Sequence, residues 1–90
     1  MVTEILETRI KTQKSSKYGQ RFYVIVITEF YYYELVYRFH KEFEPHLTVT
    51  RMTYGKVHET QSGFTRVLWN KNAVVQHAHR TVNIMESKII

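Results

Sequence analysis

Residues 28–45 read TEFYYYELVYRFHKEFEP, and the fold turns on whether that stretch is helix or strand. The Thr28 hydroxyl can cap a helix, and Glu29 falls in the first turn, where the helix dipole favours an anion. Phe30, Tyr33, Val36, Tyr37, His40 and Phe43 recur at helical spacing on one side, and Pro45 ends the run because it has no amide N–H. The aromatic run at 30–33 would also suit a prolonged strand, since aromatic side chains favour sheets. Cap, spacing and terminating proline together select helix. On that reading Glu34 and Arg38 lie one turn apart and support the helix as an ion pair.

Upstream, Phe22 to Ile27 is a continuous apolar, β-branched run, the pattern of a central strand. Before it, Val2 to Thr12 alternates: Val2, Leu6 and Ile10 take one face, and Thr3, Glu7, Arg9 and Lys11 mostly the other. Ser15 to Gln20 is the turn between them, with Gly19 free to adopt positive φ. Downstream, Leu47 to Thr50 opens a β segment that reaches Glu59 past a kink at Gly55. Gln61 to Gly63 reads as a turn and Phe64 to Trp69 as the next strand. Asn70 caps a last helix whose apolar stripe is Val74, Val75, Ala78, Val82, Met85 and Ile89.

The expected fold is therefore α+β with the order ββαββα, an antiparallel sheet carrying two helices packed on one face. Residues 1–90 form one domain, whose halves, about 1–45 and 46–90, can be read as two ββα units. A shift of 42 residues places Phe64 on Phe22, Asn70 on Thr28 and Arg80 on Arg38.

Ninety residues without a cysteine exclude a disulfide framework and a thiolate metal site, so stability rests on packing or on a second subunit. The N-terminal residues lack the basic start and apolar run of a signal peptide, and no stretch reaches the length of a membrane span. A soluble, cytoplasmic protein is expected. The net charge of +5 is uneven. Residues 9–28 hold Arg9, Lys11, Lys14, Lys17 and Arg21 without one acid, whereas 29–44 are mildly acidic.

That cluster makes the first hairpin the leading candidate site. Lys11, Lys14, Lys17 and Arg21 would neutralise phosphates by releasing counterions, and Tyr18 would offer a face on which a base can stack. Arg51, Lys56 and Arg66 could extend the patch. A second candidate is the aromatic load of five Phe, seven Tyr and one Trp. Tyr31, Tyr32, Leu35 and Phe39 fall largely off the core stripe of the first helix, which points to a dimer or protein interface.

His40, His46, His58, His77 and His79 show no metal-ligand spacing, and no cofactor or metal is expected. His77 and His79 would decorate the exposed face of the last helix. No nucleophile elbow or phosphate-cradling loop is present, so the chain does not read as an enzyme. It also lacks the aromatic signature strands of an RRM and the GXXG loop of a KH domain.

The primary expectation is a non-catalytic nucleic-acid-binding module, favouring RNA over DNA, and a homodimer. The alternative is a small inhibitor or adaptor that grips a host protein or nucleoprotein through the aromatic helix face. In size and composition the chain resembles the small cysteine-free proteins that phages make for such purposes.

Overall fold

A computed structural model describes residues 3–15, 19–40 and 43–89. It contains β1 (Ile5–Ser15), β2 (Gly19–Thr28), β3 (Tyr32–His40), β4 (Phe43–Thr53), β5 (Lys56–Phe64) and α1 (Lys71–Ile89). The strands form one antiparallel sheet in the order β1-β2-β3-β4-β5, so each pairs with its sequence neighbour.

The expected ββαββα order with two helices is thus overturned: the described residues hold one helix, at the C-terminal end. The segment read as the first helix is the central strand β3. Its decisive pattern is a period of two. Tyr33, Leu35 and Tyr37 are fully buried, while Tyr32, Glu34 and Arg38 turn to the opposite face. Tyr, Phe and Val have modest helix propensity and fit a pleated surface well. Pairing with β2 on one side and β4 on the other settles the matter. The second half differs as well. Gln61 to Gly63 continue β5 rather than turning, and residues 65–70 form the connection to α1 rather than a strand. The halves are not equivalent units, because a helix follows only the second.

Both signals that favoured helix have other uses. The Thr28 Oγ1 accepts from the backbone N–H of Phe30 (3.2 Å) and of Tyr31 (3.1 Å), the chemistry of a cap used to close the β2–β3 turn. Pro45 lies inside β4, next to an irregularity where the β3–β4 register shifts between Arg38 and His40. A residue without an N–H is tolerated where the ladder is interrupted.

Helix α1 packs over β2 and β3. Val74, Ala78, Val82 and Met85 meet Phe22, Val24 and Val26 of β2, Tyr33, Leu35 and Tyr37 of β3, and Leu47 and Val49 of β4. Asn70 caps the helix as expected, its Oδ1 accepting from the N–H groups of Asn72 (2.9 Å) and Ala73 (3.4 Å). Trp69 closes this end against Phe22 and Phe39, with ring centroids 4.8 and 4.4 Å away. At the other end Glu86 is fully buried and accepts a 2.6 Å hydrogen bond from the Thr28 hydroxyl. Gly19, at φ 85°, turns the chain so close to β3 that a Cβ there would collide with the Phe39 carbonyl.

One helix covers one face of the sheet. The opposite face is left open among the described residues, and β5 is exposed along nearly its whole length.

Candidate nucleic-acid interface

The strand registers arrange the open face in rows. Gln13, Arg21, Arg38, His46 and Phe64 form the row nearest the end of the sheet where β1 leads to β2 and β3 to β4. The next is Lys11, Tyr23, Val36, Thr48 and Ser62. Beyond it come Arg9, Ile25, Glu34, Thr50 and Thr60, and then Glu7, Ile27, Tyr32, Met52 and Val57.

Charge divides this face in two. In the far rows Arg9 is paired with Glu7 at 2.8 Å, which also raises the guanidinium pKa, and Glu34 supplies a second acid. In the near rows Arg21 and Arg38 stand directly opposite one another across β2 and β3. Directly opposed side chains have Cβ atoms about 5 Å apart, where like charges destabilise a sheet. Neither arginine meets a carboxylate among the described residues. Arg38 Nη1 donates to Thr48 Oγ1 at 3.2 Å, which holds its side chain down on the sheet. Lys11 is a diagonal neighbour of Arg21, and Tyr23 lies between these cations, its hydroxyl donating to Gln13 Oε1 at 3.1 Å. His46 follows Arg38 across the row and packs edge-on against Phe64 at 5.7 Å. The arrangement is a concentration of positive charge around a half-exposed ring. It can hold anionic groups and present one aromatic face to a base.

The sequence-derived residues are distributed as follows. Lys11 and Arg21 come together on this surface. Lys14 is exposed at the same end of the sheet, but its register with Gln20 puts it on the helix side of β1. Lys17 and Tyr18 lie outside the described residues. Arg51 is on the helix side, mostly buried, stacked 4.5 Å over the Tyr31 ring and ion-paired with Glu59 at 3.5 Å. Lys56 flanks the β4–β5 turn, and Arg66 is exposed in the connection to α1. Of the aromatic set, Leu35 is core, Phe39 packs on Phe22 and Trp69, Tyr31 is half-buried against Tyr33, and Tyr32 is exposed on the open face. The four share no surface.

Arg38 and Tyr23 were missed. Arg38 had been assigned to Glu34 as a helical partner; on a strand the two lie roughly 13 Å apart. The alternation from Tyr33 to Phe39 is the signal that would have placed Arg38 beside Arg21.

The helix histidines face the sheet rather than solvent. His77 shares hydrogen bonds with the Tyr37 hydroxyl through Nδ1 (2.7 Å) and with Thr65 Oγ1 through Nε2 (3.0 Å). His79 Nε2 lies 2.8 Å from Thr8 Oγ1. Burial lowers the pKa of both, with Arg80 adding to the effect at His77, and burial raises the Tyr37 phenol. These histidines bind proton in the unfolded chain before they do in the folded one. Stability is therefore expected to be complete above about pH 6.5 and to fall as pH drops below it. Urea midpoints measured from about pH 7.5 to pH 5 check this, and His77→Gln should flatten part of the slope. No cluster of three or more metal-ligating side chains occurs among the described residues. No described helix is long and apolar enough to cross a membrane.

No protein-family model matches the chain, and no curated protein or solved structure shows significant similarity to it.

Proposed function

We propose that this protein is a non-catalytic nucleic-acid-binding module that takes single-stranded RNA on the basic end of its open sheet face. The observation that carries this reading is the directly opposed Arg21 and Arg38, which meet no carboxylate among the described residues, with Lys11 and Tyr23 beside them. Opposed like charges cost stability in the free protein, and a bound phosphate would relieve that cost. Phosphates would sit on the three cations while a base stacks on Tyr23. The exposed hairpin end carries Lys14 in the same neighbourhood, which extends the attraction. A sheet face suits an unpaired strand, whose bases can be splayed and stacked. The only described helix spends its apolar side on the core, and its remaining cations, Lys71, Arg80 and Lys88, are dispersed along it. That arrangement is poor for reading a duplex groove. A cysteine-free chain of this charge suits a cytoplasmic setting.

The test is a fluorescence-anisotropy titration of a labelled single-stranded RNA of about eight nucleotides, repeated between about 50 and 200 mM salt. Three phosphate contacts should give a log–log salt slope of roughly −2. Absence of binding at the low-salt end, or binding indifferent to salt, would overturn the proposal. Light scattering of the same samples reads whether the working form is a monomer of 10.9 kDa or the expected homodimer.

A further inference from the structure

At the end of the sheet remote from Arg21 and Arg38, the β2–β3 and β4–β5 turns enclose an open recess of about 560 Å³. Its lining is Phe30, Tyr31, Thr53, Tyr54, Lys56 and His58. That volume lies within the ~300–1,000 Å³ common for small-ligand sites. The composition is unusual for a surface turn: three aromatic side chains, an imidazole and a single ammonium. Phe30 is 46% exposed and Tyr54 is wholly exposed, so two rings stand in water that the core does not use. The Tyr31 ring is fixed, stacked with Arg51 at 4.5 Å and meeting His58 edge-on at 5.7 Å. His58 is held in turn by a 2.9 Å contact between its Nε2 and Thr53 Oγ1.

Tyr54 supplies an independent observation. It is the only described non-glycine residue at positive φ (49°), and Gly55 follows at 78°. Two consecutive left-handed residues make the tight hairpin turn for which asparagine and glycine are the favoured residues. A bulky aromatic residue there is backbone-strained, and its ring gains nothing from burial. The strain therefore has no return in the stability of the free fold.

We infer that this recess is a nucleotide-binding site, in which a base stacks among Phe30, Tyr31 and Tyr54 while its phosphate lies on Lys56. Flat π-faces and one cation match a flat ring bearing one anionic group. The inference extends the nucleic-acid reading to a second place and rests on it for the class of ligand. It shares none of the residues of the basic end, so each can fail alone. The nucleotide can be free or can belong to a bound strand.

The experiment follows amide chemical shifts during titration with adenosine 5′-monophosphate, and in parallel with adenosine, inorganic phosphate and a short oligoadenylate. The expected result is that the monophosphate moves the signals around Phe30, Tyr31, His58 and the β4–β5 turn. Tyr54→Gly should weaken its binding roughly tenfold while raising the melting temperature, because glycine takes the turn conformation without strain. Lys56→Ala should weaken the monophosphate more than adenosine. Tighter binding of the oligoadenylate assigns the site to a base within a strand, and tighter binding of the monophosphate assigns it to a free nucleotide. Shifts scattered over the surface, or full affinity in Tyr54→Gly, would overturn the inference. Arg21→Ala with Arg38→Ala should leave these shifts intact, so unchanged strand binding in that variant counts against the basic end alone.

Discussion

Arg38→Glu is expected to stabilise the fold and to abolish RNA binding at moderate salt. In the native sheet Arg38 lies directly across from Arg21, with Lys11 on the diagonal and no acid in either near row among the described residues. Glutamate at 38 converts a like-charge pair into an opposite-charge one, worth about 0.2–1 kcal/mol in its own right. The lost hydrogen bond to Thr48 is at an exposed site and offsets little of that gain. For a polyanion the change is reversed in sign: one phosphate contact disappears and a repulsive charge replaces it. The salt slope should become shallower by roughly 0.7 for each phosphate lost. Urea denaturation and anisotropy on the same preparation read both effects. A variant that gains stability yet binds RNA as the parent does would eliminate this face as the interface. Opposite movement of the two quantities is what a ligand site strained for function predicts.

Leu35→Ala carries the largest expected effect on stability, a loss of about 2–5 kcal/mol. Leu35 is completely buried between its β2 and β4 partners, Val24 and Val49, under α1. A domain of this kind has about 5–15 kcal/mol in total, so the variant should be marginal at 37 °C or unfolded. Tyr32→Ala, three positions earlier and on the open face, should change stability by no more than about 0.5 kcal/mol. The pair separates the two conformations open to the segment. A helix with the expected stripe would leave both side chains off the core, and the variants would then behave alike. Equal midpoints in urea would therefore refute the strand, and with it the placement of Arg38.

The difference between expectation and structure lies in a few residues whose local chemistry serves two conformations equally. Thr28 offers its hydroxyl to the N–H groups two and three residues on, and that is the same bond whether a helix starts or a hairpin turns. Tyr33, Val36 and Tyr37 satisfy helical spacing, yet Tyr33, Leu35 and Tyr37 satisfy alternation, and an aromatic-rich run meets both templates. The last helix had no such competitor. Asn70 and the stripe Val74, Ala78, Val82 and Met85 were legible because nothing in that stretch alternates. Even there, buried Glu86 could not be anticipated, since a carboxylate reads as a solvated residue until Thr28 is seen beneath it. The candidate site was half legible for the same reason. Lys11 and Arg21 belong to a hairpin that local pattern identifies, whereas Arg38 enters from a strand whose identity depended on its neighbours.

Taken alone, the sequence determined the excess of positive charge near the first hairpin, the β1–β2 pair and the capped C-terminal helix. Each of these follows from composition or from interactions within a few residues of one another. The tertiary structure decided that residues 32–40 are strand, that one face of the sheet is bare among the described residues, and that Arg21 and Arg38 confront each other on it. Those outcomes depend on hydrogen bonds and buried area supplied by β2, β4 and α1 from elsewhere in the chain. A segment of near-equal helical and strand preference takes the state that its long-range partners can pair with and bury.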